Sequence, residues 1–440
     1  MKNNLFKSLL SIPCVRLFII SLISFLFLVS CSVSSGNNKN SNKEFSNSQK
    51  NSHSYILIGA KGRFGKGSVF KCTLDGYECT EILGGNMRFQ APSKSGMKPI
   101  KLFNGDLFGA SVLVVKDKMF IGAIGRDNKK GDDAGSISSA NYKDEVGTIF
   151  QCNLNGTECQ EFLGGHNSFQ TKFENTRINL MSADHFGSAL FHSNNKIYIG
   201  SIGRDNNNKD DVGSIFQCDL DGKSCNELIG GKNKSKLFSQ LLNEHDSIGS
   251  SLFMYNSSFY VGAVNKNGGN GGLLKCSNDI SKCIYTDVKN IHLSLNDGFG
   301  SSLVGNETNI FVGAIGRNGF PTTDPNLYDI GAVFKCNLEG TNCSEMIAGE
   351  NKASAASLGL SLKDNLGSSL AILGNYLYIG ASGRINNANA RTGAVFRCQL
   401  DGSNCIEFIG GRSNGDVNSE SLDLLDGDLF GSSLAIVSVP

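Results

Sequence analysis

The sequence predicts an all-β fold: a six-bladed β-propeller of four-stranded antiparallel blades. Three observations carry this expectation. The hairpin Gly393–Gly411 (GAVFRCQLDGSNCIEFIGG) has close copies beginning at Gly67, Gly147, Gly213, Gly272 and Gly331. Each copy belongs to a unit with four short strand signals in about 60 residues, the size of one propeller blade. The chain enters the repeat at a second strand, Tyr55 to Ala60, and leaves it after a first strand, Phe430 to Val439. Five units are therefore continuous, and the sixth is complete only if the last strand joins the first three. That closure removes the open sheet edges an array would leave, and neither end of the repeat has the polar cap a solenoid would need.

The N-terminus is of another kind. Lys2, Lys7 and Arg16 precede a 13-residue apolar run, Leu17 to Val29, which is short for a membrane span and reads as a secretory signal over residues 1–30. Its end, Leu28-Val29-Ser30-Cys31, resembles a bacterial lipobox, so Cys31 is the expected lipidation site. Residues 31–54 are rich in Ser, Asn and Lys and bury too little to fold, which predicts a tether ahead of the propeller at 55–440. The expected place is the cell envelope or surface, held by the lipid, with secretion as the alternative.

The strands follow in order. The first of each unit reads D-x-[FIL]-G-[SA]-[SA]-[LV], as at Asp106-Leu-Phe-Gly109 and Asp364-Asn-Leu-Gly367. The second is an alternating apolar run ending in [IV]-G-[AS], as at Ile121-Gly122-Ala123. The third and fourth are the arms of the hairpin, and each strand carries a cysteine. Twelve of 14 cysteines fall in six pairs of one spacing: Cys72/Cys79, Cys152/Cys159, Cys218/Cys225, Cys276/Cys283, Cys336/Cys343 and Cys398/Cys405. The spacing is too wide for a zinc knuckle and no His follows at a fixed distance, so disulfides in an oxidising compartment are expected. Each would close a small loop worth roughly 2–3 kcal/mol at best. Five hairpins turn at Leu-[Asp/Asn/Glu]-Gly. A two-residue turn at Asp75-Gly76 would set Cys72 opposite Cys79, whereas a three-residue loop with a Gly bulge would offset them by one, and both remain open. The fourth hairpin lacks the turn glycine, and Asn278-Asp279 is expected to supply its turn.

The paired motifs, Phe-Gly as in Phe108-Gly109 and Gly-Ala as in Gly122-Ala123, resemble the FG-GAP repeats of the integrin α-subunit propeller. The cysteine hairpin Gly331 to Cys343 is similar to those of some integrin blades. The likeness spans residues 55–440 and implies a ligand-binding face at the 2–3 and 4–1 loops. The sequence departs from the family in three ways. It has six units where integrins have seven, it lacks their Asp-x-Asp-x-Asp-Gly calcium loops, and it has no leg domains or membrane helix.

On that face the longest 2–3 loop is Gly125 to Gly147, followed by Gly316 to Gly331. The candidate ligand residues are Arg126, Asp127, Lys130, Asp132, Arg204, Arg317 and Arg384. Gly-Arg follows the second strand in five units, adding Arg63 to these arginines. Such a ring could hold an anion. The preferred reading is that each Arg pairs with the motif Asp and fixes loop geometry, because every such repeat supplies both. Two acidic loops, Asp127 with Asp132 and Asp133 and Asp205 with Asp210 and Asp211, match no calcium pattern. Lys130-Gly131-Asp132 is a tripeptide that integrins recognise on displayed loops.

Composition excludes several classes. Net charge is +1, which gives nothing for nucleic acid to hold. The six histidines form no HExxH and no nucleophile elbow is present, so no cofactor or metal is expected. The absence of Trp removes sialidase Asp boxes and WD signatures and weakens a sugar-stacking lectin. The expected function is extracellular binding or adhesion to a protein or matrix ligand, not catalysis. The alternative is a surface hydrolase or lectin acting on glycans or phosphoesters.

Overall fold

The computed structural model describes residues 54–438 except 85–99, 128–144, 165–177, 179, 207–208, 231–240, 279, 287, 289, 322 and 414–416. The signal region, Cys31 and the tether up to residue 53 lie outside the described residues.

Six four-stranded antiparallel sheets follow one another along the chain. Blade 1 holds β1 (Tyr55–Ala60), β2 (Ser68–Thr73) and β3 (Cys79–Gly84). Blade 2 holds β4 (Phe108–Val115), β5 (Lys118–Ala123), β6 (Thr148–Asn153) and β7 (Gln160–Gly164). Blade 3 holds β8 (Phe186–Ser193), β9 (Lys196–Ser201), β10 (Ser214–Asp219) and β11 (Cys225–Gly230). Blade 4 holds β12 (Ile248–Tyr255), β13 (Ser258–Ala263), β14 (Leu273–Ser277) and β15 (Cys283–Tyr285). Blade 5 holds β16 (Phe299–Gly305), β17 (Asn309–Ala314), β18 (Ala332–Asn337) and β19 (Cys343–Ala348). Blade 6 holds β20 (Leu366–Leu373), β21 (Tyr376–Ala381), β22 (Ala394–Gln399) and β23 (Ile406–Gly410). The last strand, β24 (Phe430–Val437), returns to blade 1 and pairs with β1, setting Ile58 opposite Leu434 and Gly59 opposite Ser433. One buried apolar cluster lies across each of the six blade–blade seams, and the seam between blades 6 and 1 is filled like the rest. The expected ring is closed.

The two sequence motifs are halves of one joint. The motif glycine of each second strand lies against the carbonyl oxygen of the Phe-Gly glycine in the next blade's first strand. A Cβ built on Gly59, Gly122 or Gly313 would stand 2.1–2.2 Å from the oxygen of Gly109, Gly187 or Gly367. A serine of the same blade donates to that oxygen: Ser433 Oγ to Gly109, Ser111 to Gly187 and Ser302 to Gly367, at 2.6–2.7 Å. The six joints run once round the ring, through Gly431 and Ser433 of β24.

Gly313 has no positive φ, so its requirement is space alone. Gly313→Ala is expected to cost about 2–3 kcal/mol by overpacking against backbone that cannot step aside. Gly374→Ala, with φ +55° and nothing within 4 Å, is expected to cost about 1 kcal/mol from conformation only. Urea unfolding of the two variants separates the terms.

All six expected cystines are formed, each joining the two arms of its hairpin with Cα atoms 3.9–4.0 Å apart. The expectation that both cysteines of every hairpin lie within strands holds in blades 1, 3, 4 and 5. There Cys72 pairs directly with Cys79, Cys218 with Cys225, Cys276 with Cys283 and Cys336 with Cys343. It is corrected at Cys159 in blade 2 and at Cys405 in blade 6. Cys159 stands one residue before β7, and Cys405 one residue before β23. The ladder between the arms stops at Gln151 opposite Gln160 and at Arg397 opposite Ile406. Cys152–Cys159 and Cys398–Cys405 therefore bridge the arms just beyond the end of the ladder, with the second cysteine half-buried and its partner buried.

The turns beneath the cystines give the reason. In blades 1, 3, 4 and 5 the next pair out, such as Thr73 with Glu78, encloses four residues. In blades 2 and 6, Asn153 bonds Thr157 and Gln399 bonds Ser403, leaving three-residue loops. The next residue, Glu158 or Asn404, adopts positive φ and absorbs a bulge, which displaces Cys159 or Cys405 from the ladder. Neither geometry is the two-residue turn, yet the register it implied for Cys72 and Cys79 is the one found.

In blade 4 the turn-glycine position is taken by Ile280, with φ +57°. Its N–H bonds the Ser277 carbonyl as that of Gly76 bonds Thr73. The side chain is buried in the seam with blade 3, so apolar burial offsets a conformation unfavourable for a β-branched residue. Ile280 thus closes this turn; of the expected Asn278-Asp279 pair, Asp279 lies outside the described residues.

Candidate functional site

Strand alternation puts the 2–3 and 4–1 loops on one face, called upper here. Hydrogen bonds tie these loops together within blades, as from Gly125 N to Asp106 O. They also tie them across seams, as from Gly105 N to Gly65 O and from Gly427 N to Arg391 O.

Beneath this surface five of the six blades carry the same ion cluster, and all six share its aspartate. Asp106, Asp184, Asp246, Asp297, Asp364 and Asp428 each accept a backbone N–H from three residues earlier, which closes the entry into the first strand. The arginine after the second strand reaches the same carboxylate. Arg63 meets Asp428 at 2.5 Å, Arg126 meets Asp106, Arg204 meets Asp184 and Arg317 meets Asp297 at 2.6 Å, and Arg384 meets Asp364 at 2.7 Å. The other side of each guanidinium faces a fourth-strand glutamate: Glu81, Glu161, Glu227, Glu345 or Glu407. Main-chain carbonyls of the 4–1 loop, such as those of Lys101, His292 and Gly359, take a further donor. A phenylalanine of the third strand lies under the cation, as Phe396 under Arg384 at 5.7 Å.

Arg126, Arg204, Arg317 and Arg384 are 2–5% exposed. Their charges are spent inside the fold, one per blade, and the structure does not bring them together or present them to a ligand. Asp127 closes the base of its loop, accepting the Glu145 N–H at 2.8 Å, and Asp205 does the same for Asp211 at 2.9 Å. Lys130, Asp132 and Asp133 lie outside the described residues.

Blade 4 keeps the aspartate, Asp246, and replaces its three partners. Lys266 stands for Arg, Tyr285 for Glu and Leu274 for Phe, at matching positions in the ladder. Lys266 Nζ lies 3.2 Å from Asp246 Oδ2, Tyr285 OH donates to the same oxygen at 2.7 Å, and the ammonium sits 4.2 Å from the Tyr285 ring centre. Burial and the Asp246 carboxylate beside it hold the Tyr285 phenol well above its usual range. The sequence signals were present. Lys266 follows Ala263 by three, as Arg63 follows Ala60, and a glutamate stands two residues after the second cysteine in the five other units.

Burial also governs the motif aspartates. It pushes the Asp184 carboxyl up to about 6 against the pull of Arg204, and its Oδ1 is buried without a hydrogen bond. Asp297, Asp364 and Asp428 are raised for the same reason. A carboxyl raised in the folded state binds its proton more tightly there than when unfolded. Its stabilising contribution is present below about pH 4 and is lost as pH rises through about 6. The melting temperature at pH 5.5 is therefore expected to equal or exceed that at pH 7.5, and a fall of several degrees on acidification would contradict this origin. The turn aspartates Asp75, Asp221 and Asp401 are lowered by hydrogen bonds from their own turns, so their contribution is present throughout that window and is lost only on further acidification.

Beside exposed charged residues such as Lys101, Glu145, Glu244 and Lys363, the described upper-face loops also present large apolar side chains. Of eleven exposed large apolar side chains among the described residues, seven stand in 2–3 or 4–1 loops: Phe64, Met181, Leu295, Phe320, Tyr328, Leu362 and Leu425. Leu295 is 68% exposed. Met181, Leu295, Leu362 and Leu425 recur two or three residues before the motif aspartates, so the repeat sets them at similar places round the ring. Phe64 holds φ +50°, a strained conformation for an aromatic residue. On the opposite end, the 1–2 turns include Lys116-Asp117, Asn194-Asn195, Asn256-Ser257, Asn306-Glu307-Thr308 and Gly374-Asn375.

No family model matches the chain, and no curated protein matches it. Among solved structures, a chain from the crystal structure of a nidogen/laminin complex matches with a TM-score of 0.46 and 11% identity. That match covers 87% of this chain and 98% of the other.

Proposed function

We propose that the protein is an exported binding protein of the adhesion type, in which an FG-GAP-like, integrin-α-like propeller engages a protein or matrix ligand through its upper face. The observation that carries this reading is the concentration of exposed apolar side chains on that face, above ion clusters fully committed to the fold. Large apolar side chains held exposed on loops of a rigid scaffold are candidates for partner contact. Six cystines support an oxidising, extracellular setting. Within this proposal Cys31 carries the lipid, residues 31–54 space the ring from the membrane, and the ring acts by binding and not by catalysis.

The test is capture from matrix and envelope extracts by the mature chain. A triple variant, Leu295→Asp, Leu362→Asp and Leu425→Asp, is expected to lose its captured partner. Ile284→Asp, on the outer strand of blade 4 and away from the upper-face loops, is expected to retain it. Equal capture by both would overturn the assignment.

A further inference from the structure

We infer that the outer cleft between blades 6 and 1 is a second binding site, one that takes an acidic side chain of an extended peptide. The cleft has a volume of about 570 Å³ and runs along β23 from the hairpin turn of blade 1 to the loop after β23. Its two cations are Arg397 and Arg412. Arg397 stacks on Phe408, with its guanidinium carbon 4.5 Å from the ring centre, lies 5.2 Å from the Tyr376 ring centre, hydrogen-bonds Tyr378 and reaches the Leu74 carbonyl at 3.5 Å, so its partners are all uncharged. Arg412 has a buried Nε without a hydrogen bond. Neither forms an ion pair among the described residues, whereas the five cluster arginines are each paired with carboxylates.

Comparison with the equivalent position in blade 4 sharpens this. Lys275 occupies the place of Arg397 and pairs at 2.7 Å with Glu339 on the next blade's hairpin. The residue matching Glu339 here is Asp75, but its carboxylate is turned into its own loop, accepting from Thr73 Oγ1 and from Tyr77 N. The other acid in the cleft, Glu407, is held by Arg384 and by the Arg412 N–H. Arg397 and Arg412 therefore offer forked donors suited to an oxyanion. Ile406 and Tyr77, 47% and 66% exposed, provide an apolar rim. One carboxylate beside one apolar side chain fits this lining. A densely charged polyanion does not, because Asp75 and Glu407 share the cleft.

The chain has no Trp, so a tryptophan-bearing probe can be followed without background. With the full chain and acetyl-Glu-Trp-amide, a saturable blue shift of emission is expected. Replacing the probe by acetyl-Gln-Trp-amide, or the protein by Arg412→Gln, is expected to weaken binding about tenfold or more. Arg397→Gln should do the same without loss of folding, since Gln151 and Gln217 hold that position in blades 2 and 3. Equal affinity for the two probes, or variants that fold and bind as the parent does, would overturn the site. Displacement of the probe by an equimolar heparin tetrasaccharide would overturn the peptide assignment.

Discussion

Removing residues 428–440 is expected to abolish cooperative unfolding of the ring. The deletion takes away β24, the only partner of the free edge of β1. With it go Phe430, fully buried and edge-on to Phe70, and Asp428, the buried partner of Arg63. Ser433 and its bond to Gly109 across the seam with blade 2 are lost as well. Burial of one such phenylalanine is worth about 2–3 kcal/mol, and Arg63, which keeps Glu81, loses its closer carboxylate at a cost of about 2–3 kcal/mol more. Their sum approaches the roughly 5–15 kcal/mol by which a folded domain is stable. Exposed sheet edges on either side of the gap would add aggregation. Calorimetry of the truncated chain should show a broad or absent transition. A melting profile like that of the parent would mean that the seam between blades 6 and 1 carries no more than a loose end.

Arg384→Met is expected to cost about 3–5 kcal/mol in guanidinium unfolding. Arg384 and Asp364 are buried at 2% and 0% exposure, and the substitution strands Asp364 together with most of the charge on Glu407. It also removes the donor that holds the Gly359 carbonyl in the 4–1 loop. Because burial already raises the Asp364 carboxyl, the loss should shrink at pH 5, where protonation relieves the stranded charge. Blade 4 shows that the chain tolerates another solution at this position. Arg384→Lys combined with Glu407→Tyr and Phe396→Leu copies the Lys266, Tyr285 and Leu274 set, and it should recover more than half of the stability that the single change loses. No recovery would mean that the blade 4 cluster depends on its own surroundings, such as the Asn265–Ser247 bond.

The fold was legible because its determinants are periodic and local. Strand order, the six cysteine pairs and the closing strand follow from spacing in the chain, and β1 has the bounds its apolar run implies. The role of the shared glycines was not legible. Gly122 and Gly187 meet only across a seam, 65 positions apart, and no local rule joins them. The left-handed residue after each motif aspartate was hidden for a related reason: at His185, Ser247 and Asn365 its N–H bonds a neighbouring loop, a tertiary contact that holds it against the residue's own preference. The hairpin turns were half legible. Cysteine spacing is the same in all six units, so it could not show that Cys159 and Cys405 fall outside their strands while Cys79 stays within β3. Glu158 and Asn404 enter positive φ just after three-residue loops, whereas Glu78 closes a four-residue loop and does not, a choice the near-identical turn sequences do not show. At the candidate site the Arg–Asp pairing was readable from its recurrence. The third member, the glutamate, was overlooked although it recurs as regularly, and the exposed apolar side chains of the upper face appear only once burial is known.

Hydrogen exchange on the full chain, read by mass spectrometry at peptide level, tests the closed ring most directly. The account predicts that the segment Phe430–Val437 exchanges as slowly as Phe108–Val115, the first strand of the blade beside it, and that Tyr55–Ala60 is equally protected. Rapid exchange in Phe430–Val437 with protection retained in the other five first strands would contradict it.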